Sequence, residues 1–140
     1  MNRRSLLRLV GLTGIAQAGS TLFGQSSGST KKNVTHPIVL YCDMPVDPAR
    51  EQEMLDHYHN DFKPVAEKFP GYIDLKIVKI RKVMQGPTPP KSINYRFQLT
   101  FESEEMRQKW IASPVHKKNW PLIENTLTDK NYQILLTDAV

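Results

Sequence analysis

The sequence predicts an α+β domain of the ferredoxin-like type, in which a four-stranded antiparallel sheet carries two helices on one face. Two observations lead to this prediction: residues 36–140 have the element order βαββαβ, and strand-type alternation and helical periodicity each recur there. The 140 residues, 39% of them hydrophobic and 24% charged, suffice for one such domain. Cys42 is the one cysteine in the sequence, so no internal disulfide forms and burial has to hold the fold together.

The first 35 residues are expected to lie outside this domain. Residues 1–18 have a basic start, a short apolar stretch and the small-x-small ending Ala16-Gln17-Ala18, which is the pattern of a cleaved signal peptide. The pair Arg3-Arg4 resembles a twin-arginine export signal, while a general secretory leader with two arginines is the alternative. Residues 19–35, rich in Gly, Ser and Thr, are predicted to form a flexible linker. We therefore expect a periplasmic or extracellular protein without stable membrane insertion after cleavage.

The first strand is predicted over Ile38–Met44, where strongly apolar residues occupy every second position. Asp47-Pro48 then begins a helix, because Asp caps free amide groups and Pro fits the first helical position. Pro70-Gly71 ends this helix. Its apolar stripe consists of Leu55, Tyr58, Phe62, Val65, Ala66 and Phe69.

Two further strands follow on either side of a loop rich in turn residues. The second strand is predicted over Tyr72–Val83, with a bulge near Val78 where the alternation changes phase. The third strand, Ile93–Phe101, has the clearest alternation of apolar and polar residues in the chain. Together with Ile38–Met44, these account for three of the four strands in the sheet.

The second helical region begins at Ser103, which caps an acidic first turn. Ser113-Pro114 breaks it, and a further helical stretch is predicted to run to about Leu127. The last strand is predicted over Asn131–Thr137 and completes the βαββαβ order.

One face of this sheet is left uncovered by the helices. It would carry Val39 and Tyr41, and a monomer would then expose this apolar surface to water. Packing two sheets face to face in a homodimer covers it, and we expect a small-molecule cavity inside the resulting barrel.

Composition excludes several classes of partner. The formal charge is +5, but without Arg3, Arg4 and Arg8 only 16 basic side chains remain against 14 acidic ones. Since the remainder forms no basic run longer than a pair, nucleic acid is not an expected partner. Glycine-rich phosphate loops, nucleophile elbows and dinucleotide fingerprints do not occur in the sequence, so no nucleotide cofactor is expected.

Several short motifs resemble one known group of proteins. Tyr58-His59, Pro64-Val65-Ala66, Phe69-Pro70-Gly71-Tyr72 and the strand ending at Phe101 are similar to the antibiotic biosynthesis monooxygenase-like and EthD-like members of the dimeric α+β barrel superfamily. The resemblance spans about residues 37–138. It implies a homodimeric barrel that oxidises or isomerises an aromatic or polyketide-like compound without a cofactor.

The resemblance has one clear departure and leaves a second function open. EthD-like chains commonly carry a histidine two residues before the helix proline, where this sequence has Phe62. His59, nearly one turn earlier, is the nearest histidine that could take over part of that role. The alternative to an enzyme is a small-ligand-binding barrel of the cell envelope that performs no catalysis.

Three residues are predicted to carry the chemistry if the chain is an enzyme. His59, at the edge of the apolar stripe, has the chemistry of a general base that removes a proton from a phenol or enol. Arg96 and Tyr41 are expected on the uncovered sheet face, where they would stabilise the resulting anion. The alternative for His59 is a structural histidine that is hydrogen-bonded to the sheet. The alternative for Arg96 is an exposed row of polar side chains, if no dimer forms.

Trp110, His116 and Gln98 are predicted to contact the substrate. The alternative for Trp110 and His116 is that they are core residues without contact to a substrate, since helical spacing directs both of them inward. A metal site is not expected, because His57 and His59 point apart on a helix. A site of His59, His116 and a carboxylate would require tertiary contact.

Overall fold

A computed structural model of the chain describes residues 36–140. The predicted leader 1–18 and linker 19–35 lie outside the described residues. None of the helices in the described part combines the length and the apolar character that crossing a membrane requires.

Four strands form one antiparallel sheet in the order β2-β3-β1-β4. They are β1 (Ile38–Met44), β2 (Tyr72–Lys79), β3 (Tyr95–Phe101) and β4 (Gln133–Asp138). All helices lie between strands in the order βαββαβ, which is the ferredoxin-like arrangement. The predicted fold class is therefore confirmed.

The first helical region, α1, changes geometry along its length. It begins at the cap Asp47, whose side chain accepts from Ala49 N at 2.9 Å, and passes through a 3-10 turn, Pro48–Arg50. It then runs as α-helix over Glu51–His57, as π-helix over Tyr58–Phe62 and again as α-helix over Lys63–Glu67.

The π-helical stretch explains how α1 buries one continuous stripe. Met54, Tyr58, Phe62 and Ala66 are all buried, and each lies four residues after the one before. In a regular α-helix this spacing drifts around the axis by about 40° per step. The wider turn, in which Lys63 N donates to Tyr58 O, reverses part of that drift and keeps Phe62 against the sheet.

The second helical region consists of two helices joined at one residue. Helix α2 (Glu104–Ala112) begins after Ser103, whose hydroxyl accepts from Met106 N at 3.2 Å. Helix α3 (Pro114–Glu124) begins after Ser113 in the same manner. The predicted break at Ser113-Pro114 is therefore present in the structure.

Sheet register separates the two faces of the domain. Leu40 pairs with Leu99 of β3 and with Leu136 of β4, so these residues all point toward the helices. The opposite, open face carries Tyr41, which pairs with Gln98 and Leu135. The helix-facing residues of β1 and β3 are fully buried, as the alternation in the sequence predicted.

Strand β2 differs from the prediction in its end and in its bulge. It stops at Lys79 rather than Val83, because β3 begins its pairing at Tyr95 and leaves the following residues without a partner strand. The register shift lies between Tyr72 and Asp74 and not near Val78. The bulge thus directly follows the turn that ends the first helical region.

The last elements are shorter or shifted relative to the prediction. Helix α3 ends at Glu124 rather than near Leu127, because Thr126 turns back to cap Ile123 O with its hydroxyl at 2.6 Å. Strand β4 begins at Gln133 rather than Asn131, since Asn131 N is held in a turn by the Asp129 side chain at 2.8 Å.

Candidate functional site

A cavity of about 100 Å³ lies between the helices and the sheet, and we call it the helix-side cavity. Its apolar walls include Leu40, Phe62, Phe97, Leu99, Trp110 and Trp120. Four polar or ionisable side chains also line it: Cys42, Arg107, His116 and Tyr132. The cavity thus combines aromatic walls with a few polar groups, as small-molecule sites commonly do.

His116 occupies an aromatic corner of the helix-side cavity. Its ring meets the edge of Trp110 at 5.2 Å between centroids and lies nearly parallel to Trp120, with 14° between the planes. Burial, together with the positive charge of Arg107, lowers the pKa of His116 to about 4. At neutral pH the imidazole is therefore uncharged, and within residues 36–140 neither of its nitrogens has a hydrogen-bond partner.

Arg107 supplies a cation at the wall of the same cavity. Its side chain is only 14% exposed, and Nε and Nη2 donate to the carboxylate of Glu104 at 2.6 and 2.7 Å. Among the described residues, Nη1 has no hydrogen-bond acceptor. Arg107, Trp110 and Ile111 occupy positions i, i+3 and i+4 of α2, which places all three on the cavity side of the helix.

Tyr132 closes one side of the cavity and is held there by two hydrogen bonds. Its hydroxyl accepts from Trp120 Nε1 at 3.2 Å and donates to Glu124 at 2.8 Å. Burial and the hydrogen bond to Glu124 raise the pKa of Tyr132, so the phenol stays protonated. Tyr132 also borders a second cavity of about 240 Å³, which it shares with residues such as Pro45, Lys91 and Ile93.

Cys42 lies on the sheet side of the helix-side cavity. Burial, together with the negative charge of the neighbouring Asp43, raises the pKa of its thiol to about 12. Since the thiolate is the nucleophilic form, Cys42 acts at neutral pH as a small, weakly polar wall.

The open face of the sheet holds three of the residues predicted as site residues. Arg96 donates to both carboxylate oxygens of Asp43, at 2.7 and 2.9 Å, and lies over the ring of Tyr41 at 4.8 Å. Gln98 is the cross-strand partner of Tyr41. Arg96, Tyr41 and Gln98 therefore share one surface, but that surface faces away from the helix-side cavity.

His59 lies apart from both groups. It is exposed on α1, next to a shallow groove that also involves Lys63, Lys76 and Lys79, and its ring contacts the edge of Tyr58 at 4.9 Å. The helices and the open face lie on opposite sides of the sheet, so His59 is not brought together with Arg96 or Tyr41. Its assignment as a base stays a prediction.

Trp110 and His116 are the two predicted site residues that lie in the helix-side cavity. The cavity expected from the sequence was the interior of a dimeric barrel, whereas this one lies on the other face of the sheet. No group of three or more His, Cys, Asp or Glu residues within 36–140 is arranged to hold a metal ion.

Arg107, Tyr132 and the stacking of Trp120 on His116 are features of the site that were not predicted from the sequence. Helical spacing offered a signal for Arg107, since it precedes the inward-facing Trp110 by three residues. Trp120 likewise follows His116 by four. For Tyr132 the sequence holds no such signal, because the residue lies in the segment before β4 and its position depends on tertiary hydrogen bonds.

No family model matches the sequence, and no curated protein matches it. Solved structures do match in fold. An antibiotic biosynthesis monooxygenase-like protein from Caulobacter crescentus CB15 is 14% identical, with a TM-score of 0.61, and the match covers 81% of this chain and 98% of that one.

Two further solved structures match over a similar share of the chain. SnoaB, a cofactor-independent oxygenase from Streptomyces nogalater, is 13% identical with a TM-score of 0.54, over 76% of this chain and 95% of that one. A dimeric ferredoxin-like protein from Jannaschia sp. CCS1 is 16% identical with a TM-score of 0.56, over 75% and 98% of the two chains.

The solved structures that share this fold thus include antibiotic biosynthesis monooxygenase-like proteins and an EthD family protein. The resemblance predicted from the sequence is confirmed for the fold.

Proposed function

We propose that the chain is an enzyme that oxidises a small phenolic or enolic compound without a cofactor, and that the reaction takes place in the helix-side cavity. The observation that carries this proposal is His116, a neutral imidazole without a hydrogen-bond partner among the described residues, at the wall of an aromatic cavity. Because a pKa of about 4 makes this imidazole a weak base, proton transfer from a bound hydroxyl group depends on Arg107, which borders the same cavity and stabilises the oxyanion that forms.

The fold comparisons support the type of reaction. SnoaB, which shares the fold, is a cofactor-independent oxygenase. In such a reaction the substrate supplies the electrons: the hydroxyl proton moves to the base, and the enolate reacts with O₂. The carbon that reacts with O₂, which is a CH₂ group in the keto form of the substrate, becomes a carbonyl, with one oxygen atom of O₂ entering the product and the other leaving as water.

The aromatic walls suit this chemistry because they exclude water and orient a flat ring. Phe62 meets the edges of Phe97 and Trp110 at centroid distances of 5.5 and 5.6 Å, so the pocket is bounded by rings rather than by flexible chains. The near-parallel indole of Trp120 holds the imidazole of His116 in one orientation at the cavity wall.

We also propose a homodimer that packs through the open sheet face. Leu135 and Val78 are 38% and 45% exposed on that face, where Leu135 pairs with Tyr41 and Val78 pairs with Arg96. A second copy would cover this apolar surface and would enclose Arg96 and Gln98 in the interface.

Export to the periplasm or outside the cell is proposed from the residues 1–18 alone. It is argued separately from the proposed chemistry, which rests on cavity residues between Leu40 and Ile134.

The test compares two histidines with a third as control. Oxygen uptake is measured with a panel of one-, two- and three-ring phenols and enols, for the wild type and for His116→Phe, His59→Asn and His57→Asn. Loss of a general base costs about 10²- to 10⁴-fold in rate. We expect that loss in His116→Phe, which keeps an aromatic ring beside Trp110. His57 lies on the outer side of α1, bonded to Asp61 at 2.8 Å, and its variant should keep full activity.

The outcome distinguishes the assignments. If activity is lost in His59→Asn and kept in His116→Phe, the base is His59 and the reaction takes place elsewhere. If no phenol or enol is turned over but ligands bind in the cavity, the protein is the non-catalytic ligand-binding barrel.

A further inference from the structure

The helix-side cavity limits the size of what it can hold. Its volume is about 100 Å³. An engineered apolar protein cavity of roughly 150 Å³ binds benzene. The helix-side cavity is smaller than that, so it holds at most one aromatic ring, and a second fused ring would have to remain outside its walls.

Arg107 determines the charge that such a ring should carry. Nε and Nη2 are held by Glu104, while Nη1 has no acceptor within residues 36–140. A guanidinium N–H that borders a largely apolar cavity forms a strong, charge-assisted hydrogen bond with an anionic oxygen. In these low-dielectric surroundings an anionic oxygen also gains Coulomb attraction to the guanidinium, which an uncharged acceptor lacks.

The aromatic walls and the cation act on different parts of one ligand. Trp110 and Ile111 are the residues that follow Arg107 on the same face of α2, so a ring against Trp110 has its edge close to the guanidinium. His116, on the neighbouring helix, remains available to accept a hydroxyl proton.

We propose that the ligand of the helix-side cavity is a one-ring aromatic anion, whose carboxylate or phenolate oxygen is bound by Arg107 Nη1. This inference rests on the proposed function for the choice of cavity, and it adds the substrate class and a specificity-determining residue.

Binding is tested with three probes that differ in one property each. Benzoate has one ring and a charge, benzamide is its uncharged analogue, and 1-naphthoate adds a second ring. Chemical-shift titrations of the full domain give the dissociation constants. We expect benzoate to bind at least 10-fold more tightly than benzamide and than 1-naphthoate.

Two variants assign the charge preference to Arg107. In Arg107→Gln, benzoate should bind no more tightly than benzamide, while benzamide binding itself is retained and shows that the cavity is intact. Arg50→Gln is the matched control, because Arg50 forms the same bidentate i,i+3 pair with Glu53 but does not line the cavity. Its benzoate affinity should equal that of the wild type.

Four results would overturn the inference. Equal affinity for benzoate and benzamide in the wild type would contradict the anion preference, and unchanged benzoate affinity in Arg107→Gln would contradict the role of Arg107. Tight binding of 1-naphthoate would contradict the size limit. No binding of any one-ring probe at millimolar concentration would reject the ligand class. Arg107-dependent benzoate binding without any oxygen uptake would leave the inference standing while rejecting the proposed oxidation.

Discussion

The imidazole of His116 lies nearly parallel to the indole of Trp120, with 14° between the ring planes and 6.2 Å between their centroids. The two residues are four positions apart on α3, so the helix itself sets this arrangement. Trp110 meets the other side of the imidazole edge-on. The ring is therefore fixed at the cavity wall and partly removed from water, which accounts for its lowered pKa.

This lowered pKa predicts how stability depends on pH. The pKa of His116 falls from 6.5 to about 4 on folding, so between these values the unfolded chain binds a proton that the folded chain does not. The free energy of unfolding should therefore decrease as the pH falls from about 6.5 to about 4. Because the ring is partly exposed, we expect a smaller loss than full burial would give.

Urea midpoints at pH 7 and pH 5 measure this effect. His116→Phe should lose less stability between the two pH values than the wild type, since the side chain at position 116 can then no longer bind a proton. An equal loss in both proteins would contradict the prediction.

Tyr132 is predicted to set the length of the ligand, because its side chain borders both the cavity of about 100 Å³ and the one of about 240 Å³. Tyr132→Ala should join the two and allow 1-naphthoate to bind. Tyr132→Phe keeps the ring and loses the hydrogen bonds with Trp120 and Glu124, so it should keep the preference for one ring at a cost of about 1 kcal/mol in stability. Binding of 1-naphthoate to Tyr132→Phe but not to Tyr132→Ala would exclude this role.

The sequence allowed the element order and the buried face of the sheet to be predicted, because both depend on local periodicity. Ile38–Met44 and Tyr95–Phe101 alternate between buried and partly buried residues as expected. The ends of β2 depend on where β3 starts to pair, and no local pattern encodes that point.

The candidate site could be predicted only in part. Trp110 and His116 lie on helices whose inward faces are evident from spacing, and both line the cavity. Which face of the sheet holds the cavity depends on how tightly the helices pack against it. That packing follows from the sizes of many side chains together and cannot be deduced from alternation.

The proposed dimer predicts that one charged substitution on the open face, at Leu135, prevents dimerisation. Leu135→Asp places a charge beside Tyr41, and burying that unpaired charge in a sheet-to-sheet interface is unfavourable. Such interfaces bury roughly 2,000 Å² or more. Light scattering at micromolar concentration should give a dimer for the wild type and a monomer for Leu135→Asp. Val115→Asp, at a similarly exposed site on α3, should remain a dimer, and a monomeric wild type would reject the interface.

Export is predicted to depend on the paired arginines of the leader. Replacing Arg3 and Arg4 by Lys together should block export by the twin-arginine route and leave the fold of residues 36–140 unchanged. Cell fractionation locates the protein, and mass spectrometry of the mature chain should place the cleavage near Ala18. Export that continues in the double variant would favour a general secretory leader, and a cytoplasmic chain with residues 1–18 retained would reject export altogether.

Substituting alanine for either of two glycines with similar backbone geometry is predicted to lower the stability of the fold by different amounts. Gly71 and Gly86 have φ values of +91° and +95°, which L-residues rarely adopt. A Cβ on Gly71 would lie 2.7 Å from Met106 Cβ, whereas one on Gly86 would have no heavy atom within 4 Å. Gly86→Ala should therefore cost only the conformational strain, about 1 kcal/mol. Gly71→Ala adds overpacking against α2, a further ~1–3 kcal/mol. Urea unfolding of both variants measures the difference, and equal destabilisation would mean that α2 moves aside without cost.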